Sequence, residues 1–132
     1  MTKFFQGPLA GQKAVADGFA VAEWKDEGGE TASPRYIAPL HRHHRDDEAW
    51  YILEGRLRFS FDGREFEAGA GELVLSPPGV AHTYWNPGPG RCRYLLLMTP
   101  NLSALLEALH ELPDRNRETV AALFARFGAE LL

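Results

Sequence analysis

The chain has 132 residues, 45% hydrophobic and 24% charged, with a formal net charge of −4. That length suits one domain with its own core, and the lack of any long Lys/Arg run excludes a nucleic-acid-binding footprint. The single cysteine, Cys92, excludes an internal disulfide and a thiolate-rich zinc site.

The N-terminal stretch Met1 to Pro8 carries no long apolar segment of the secretory type, and the longest aliphatic run, Tyr94 to Met98, is far too short to span a bilayer. A cytoplasmic location without a membrane partner is therefore expected. Further along, Phe19 to Trp24 reads as a strand, Asp26 to Glu30 as a loop, and Tyr36 to Ala38 as a short strand before Pro39. From Trp50 to Phe61 the pattern is mostly alternating. Trp50, Ile52, Leu57, Phe59 and Phe61 take the core face, and Arg56, Arg58 and Ser60 point outwards. Trp50 to Leu53 is apolar on both faces, so both are expected to be covered, the outer one by a partner subunit.

Asp62-Gly63 predicts a tight hairpin turn, with a return strand over residues 64–68. Glu72 to Ser76 predicts the next strand, stopped by Pro77-Pro78-Gly79. Ala81 to Trp85 and Arg91 to Met98 follow, with Cys92 expected to be a packed, inert thiol. Short strands with compact turns argue for an antiparallel sandwich or barrel. The tail then changes period. Leu102, Leu105, Leu106, Leu109 and Leu112 recur at helical spacing after Thr99-Pro100, and His110 lies off that stripe as a solvated residue. Beyond Pro113, Asp114 is expected to cap a second helix whose stripe is Val120, Leu123, Phe124, Phe127 and Leu131, with Gly128 marking its end.

Three of the five histidines, His41, His43 and His44, fall within four residues. On a strand, positions i and i+2 share a face with Cα atoms about 6.5–7 Å apart, so His41 and His43 can converge on one ion. Glu48 lies just past the polar turn Arg45-Asp46-Asp47 and shares parity with Trp50 and Ile52. Two imidazoles and a carboxylate make the facial set of non-haem iron sites. His82, aimed by the Pro77-Pro78-Gly79 turn and sharing parity with Tyr84, would complete three nitrogens and one oxygen, leaving an octahedral ion two open positions.

These residues resemble the two motifs of the cupin superfamily. The first is His-x-His, three or four residues, Glu, six residues, Gly, and here runs His41, His43, Glu48, Gly55. The second is Gly, five residues, Pro-x-Gly, two residues, His, three residues, Asn, and here runs Gly71, Pro77, Gly79, His82, Asn86, with every spacing matched. The glycine that often opens the first motif is missing near Tyr36. The motifs span 41–86. The tail is also similar to small bacterial cupins described as quercetin dioxygenase-like.

The resemblance implies an all-β chain: one cupin β-barrel (a jelly roll or double-stranded β-helix) over about 15–98, with a two-helix C-terminal extension over about 100–132, all in one domain spanning 1–132. It implies one divalent metal (Fe, Mn, Ni, Co or Zn) held by His41, His43, Glu48 and His82, with His44 the rival of opposite parity. By parity Trp50, Phe59, Phe61, Tyr84 and Met98 are the pocket candidates, an aromatic and mostly apolar set suited to a planar organic ligand. A metal-dependent oxygenase acting on a small aromatic or enolic compound is the leading expectation. In it Glu48 serves as ligand or proton acceptor, and Tyr84 hydrogen-bonds the substrate. A non-catalytic metal or small-ligand binding module and a metal-assisted isomerase, lyase or cyclase are the alternatives. A homodimer is expected.

Overall fold

The computed structural model describes residues 4–28 and 34–132. Two five-stranded antiparallel sheets face one another. Their strands, in chain order, are β1 (Lys13–Val15), β2 (Ala20–Asp26), β3 (Tyr36–His43), β4 (Glu48–Glu54), β5 (Arg56–Phe61), β6 (Arg64–Gly69), β7 (Leu73–Ser76), β8 (His82–Trp85), β9 (Cys92–Met98) and β10 (Ala129–Leu131). One sheet has the order β1-β2-β9-β4-β7, the other β10-β3-β8-β5-β6. Two helices, α1 (Pro100–Glu111) and α2 (Arg117–Arg126), lie between β9 and β10. This is the jelly-roll architecture that the resemblance implies. None of the helices is long and apolar enough to cross a membrane.

The alternation of side chains builds the core. Along β9 every second residue from Cys92 to Met98 is buried, and Trp50, Ile52, Leu57 and Phe59 have no exposed surface. The Cys92 thiol is buried and pushed up to about 11 by that burial and then by Asp26, which leaves it protonated and inert. Arg56 and Arg58 point away from the core and pair with Glu67 and Glu65 on the hairpin's outer side. The outer face of β4 is open: Tyr51 is 38% exposed, beside Leu73 at 60% and Leu75 at 59%.

Turn chemistry fixes the hairpin. Asp62 and Gly63 both have positive φ (50° and 83°), the backbone of a tight primed turn. Asp62 accepts a hydrogen bond from Ala81 N on its side chain and donates its own N–H to the Ala81 carbonyl. The hairpin tip therefore anchors the segment that delivers His82.

Three sequence expectations are corrected. The strand at Tyr36 does not stop before Pro39: β3 runs through it to His43, and the cost of a missing N–H is absorbed by register shifts on either side of Ala38. Leu131 is not on the second helix. Gly128, at φ 73°, ends that helix, and the chain returns as β10 to pair Leu131 with His41. Asn116, rather than Asp114, caps α2 by accepting from Thr119 N. Thr99 caps α1 as its sequence predicts. Part of the Asp26 to Glu30 loop lies outside the described residues.

Gly55 closes the first motif at φ +74°, and a Cβ there would stand 2.4 Å from the Arg91 carbonyl oxygen and 3.0 Å from Cys92 Cα. Gly55→Ala should lower unfolding free energy by more than about 2 kcal/mol, because the clash is with backbone and the φ is strained. Gly63→Ala, with open space around it, should cost about 1 kcal/mol. Urea denaturation of both variants checks the difference.

Candidate metal centre

His41, His43, Glu48 and His82 are all buried, and one ligand atom from each lies within 4.8 Å of every other. Three strands deliver them. His41 and His43 stand two apart on β3, Glu48 opens β4, and His82 opens β8 directly opposite His41. Their placement is enforced locally. The Pro77-Pro78-Gly79 turn docks on β3 through a Gly79 N–H bond to the His43 carbonyl and an Arg42 Nε bond to the Gly79 carbonyl. The β3–β4 loop is held by Asp46, which accepts from the Thr99 hydroxyl at 2.7 Å and the Asn101 amide at 2.8 Å. Glu48 is thus fixed relative to the start of α1.

The ring nitrogens are oriented by backbone carbonyls. His41 Nδ1 donates to Pro39 O and His82 Nδ1 to Val80 O, which turns both Nε2 atoms inwards as lone-pair donors to an ion. His41 Nε2 lies 3.1 Å from His43 Nε2, and His82 Nε2 lies 3.1 Å from Glu48 Oε1. Burial first, and then the neighbouring His82 and His43, hold the His41 imidazole neutral, down to about 4. Burial pushes the Glu48 carboxyl up, yet the close His43 and His82 rings prevail and hold it down to about 2. A buried carboxylate therefore faces imidazoles rather than a Lys or Arg, and the Nδ1 of His43 is buried without a partner.

A cation shared among the three imidazole nitrogens and the carboxylate oxygen satisfies all four donors at once. The donor set fits one divalent transition metal. His44 lies outside it: its side chain is 50% exposed and sits 3.8 Å from Glu130.

A cavity of about 120 Å³ opens beside these residues. His41, His43, Glu48 and Tyr84 form its floor, Leu96 and Tyr94 one wall, and Ile37, Ala38 and Pro39 another. The rest is roofed by Leu102, Leu105, Leu106, Leu109 and Phe124 from the two helices, with Trp24 and His110 at the side. No Lys or Arg is among the described residues that line it.

Of the pocket candidates chosen by parity, Tyr84 is on this wall. The structure puts Trp50, Phe59 and Phe61 in an aromatic cluster behind the imidazoles, with Trp50 5.6 Å and Phe61 5.7 Å from the His82 ring. Met98 lines two other surface clefts. Parity separates inside from outside, but it does not say which inward residues touch the cavity. Tyr94 and Asp46 were not singled out by sequence. The Tyr94 phenol lies 3.2 Å from that of Tyr84, and its inward parity on β9 was the available signal. Asn86, the last residue of the second motif, bonds to Gly90 O and Gly88 N and so shapes the β8–β9 loop away from the ligands.

Comparison with known proteins bears on the same residues. A family profile described as Cupin domain matches residues 28–98. An uncharacterized protein of Methanocaldococcus jannaschii is 39% identical over 49 residues, covering 37% of this chain and 39% of that protein. Germin-like protein 3-7 of Oryza sativa subsp. japonica is 30% identical over 94 residues, covering 62% of this chain and 40% of that protein. The chain thus spans about two fifths of the length of the curated relatives it matches. Among solved structures, a sugar phosphate isomerase of the cupin superfamily from Silicibacter pomeroyi superposes with a TM-score of 0.53 at 24% identity, over 62% of this chain and 50% of that one. This last likeness is one of fold.

Protein reconstituted with cobalt or manganese should hold one equivalent by elemental analysis. His41→Ala, His43→Ala and His82→Ala should each weaken retention at least about tenfold, while His44→Ala keeps it. Saturating metal should raise the thermal midpoint of the natural chain, by about 2.7 kcal/mol of stabilisation at one hundred times Kd, and leave that of the histidine variants unmoved.

Proposed function

Because this chain belongs to the cupin family, we propose that it is a metal-dependent oxygenase whose substrate is a small, weakly polar aromatic or enolic molecule. One observation carries the reading: His41, His43 and Glu48 line a cavity whose other walls are apolar apart from two phenols and the Trp24 and His110 rings. An engineered apolar cavity of about 150 Å³ holds benzene, so a volume of about 120 Å³ suits a single ring or a short diketone better than a fused polycycle. The acidic centre and uncharged walls also argue against a sugar phosphate, whose phosphate would need Lys or Arg in reach.

The protein's own groups have distinct tasks in this reading. His41, His43, His82 and Glu48 would hold the ion, which when bound supplies a Lewis acid for substrate oxygens and a redox or binding partner for dioxygen. Tyr84 stays protonated: burial, and then the Glu48 carboxylate, push its phenol above the ordinary range. It therefore acts as a hydrogen-bond partner and not as a base. Tyr94, its phenol raised likewise by burial and then by Tyr84, holds the Tyr84 hydroxyl in place at 3.2 Å. Glu48, an anion in the folded chain, serves as a ligand, because a carboxyl held down to about 2 is a weak base for an enolic or phenolic proton.

A second copy of the chain is the proposed partner. On the outer face of the β1-β2-β9-β4-β7 sheet the register brings Val21, Leu97, Ala49 and Leu75 into one row and Leu95, Tyr51 and Leu73 into the next. The exposed Leu73 and Leu75 beside Tyr51 make this face the candidate for an interface between two copies.

Oxygen-electrode assays with iron-loaded protein should show uptake with acetylacetone or catechol and none with a flavonol. Tyr84→Phe should lower kcat about ten- to a hundredfold with metal content unchanged. Ligand-induced stabilisation without any oxygen uptake would instead favour a binding module. Light scattering should give twice the chain mass, falling to one chain in Leu75→Glu; a monomeric natural chain would remove the dimer.

A further inference from the structure

The cavity beside the metal centre and a neighbouring cleft share part of their lining. Three wall residues, Trp24, Leu106 and His110, also line a separate surface cleft of about 250 Å³ between β1, β2 and α1. They are the partition between the two spaces. Trp24 comes from β2, and Leu106 and His110 from α1. The indole and imidazole rings meet edge-on, with centroids 5.3 Å apart at 64°.

Packing along α1 grades towards this point. Leu102 and Leu105 are each 1% exposed, Leu106 and Leu109 are half-buried, and His110 is exposed. The partition thus stands at the least tightly packed end of the helical roof, where an exposed ring can change rotamer without opening the core. The charges around the outer cleft are already matched, since Lys13 donates to Ser103 at 2.9 Å and also pairs with Glu107. The Trp24 indole N–H differs. It is shut off from water and has no acceptor among the described residues, although buried indole N–H groups ordinarily find one.

We propose that Trp24, Leu106 and His110 form the neck through which a small neutral ligand passes from the surface cleft to the metal cavity, and that the Trp24 indole N–H takes an acceptor oxygen of that ligand. The inference rests on the reading of the cavity as a small-ligand site, but not on the presence of the ion. It makes Trp24 and His110 specificity-determining residues. The bulk at these positions sets the width that a ring must clear, and the indole favours a carbonyl or hydroxyl oxygen over a hydrocarbon of the same size.

The test is catechol binding to cobalt-loaded protein, followed by the visible cobalt bands in stopped flow. Leu106→Trp should slow association at least about tenfold and His110→Ala should speed it severalfold, both with cobalt content unchanged. Trp24→Phe, which keeps a ring but removes the N–H, should weaken equilibrium binding about tenfold. Association rates within about twofold of the natural chain in both Leu106→Trp and His110→Ala overturn the neck, and unchanged catechol affinity in Trp24→Phe overturns the indole's part. Should Leu106→Trp fail to fold, the exposed His110 variant decides alone. A metal-free arm follows fluorobenzene by fluorine NMR in the same variants. If the natural chain retains no cobalt, the metal reading falls while this arm still decides the neck: slowed exchange in Leu106→Trp and quickened exchange in His110→Ala support it, and unchanged exchange or no binding overturns it.

Discussion

One register holds the site together. On β3, His41 stands opposite His82 on one side and Leu131 on the other, while His43 pairs with Ala129. Because side chains on a strand alternate, a slip of one residue would swing both imidazoles out of the barrel and bring Arg42 and His44 in. The register is over-determined. The bulges around Pro39, the docking of Gly79 on His43 and the pairing of β10 each oppose a slip, and each acts through backbone groups rather than through the ligands.

The electrostatics follow from that geometry. Four donors are forced into a dry space, and the only anion among them has no basic side chain at hand. The fold keeps His41 neutral and Glu48 ionised, the protonation states that a divalent ion demands. The described residues of the surrounding wall add phenols but no Lys or Arg, which leaves a cation as the natural complement of the carboxylate.

Much of this was legible in the sequence because the signals were local or strictly spaced. His-x-His fixes a shared strand face, Asp62-Gly63 fixes a turn, and the interval from Gly71 to Asn86 fixes the strand that carries His82. Other features depend on what meets what across long separations. Nothing near Pro39 announces that a bulge will let the strand continue. Leu131 has helical spacing from Phe127, and only the left-handed Gly128 diverts it into β10. The cavity walls drew on α1 and on β2, so inward parity alone picked Trp50, Phe59 and Phe61, which pack behind the imidazoles, and passed over Trp24 and Tyr94. Asp46 has the sequence context of one more polar turn residue, and only the fold brings its two oxygens to Thr99 and Asn101 at the helix cap.

The pairing of β10 with β3 carries a consequence for biosynthesis. The strand bearing two of the ligands has a bare hydrogen-bonding edge until the ribosome has made the chain through Leu131, although every donor to the ion has emerged long before. Nascent chains therefore pass through an interval in which the imidazoles are present but their strand is unpaired on one side, a state open to intermolecular β-pairing. Completion of the sheet, and with it of the binding centre, therefore waits on residues made after α2.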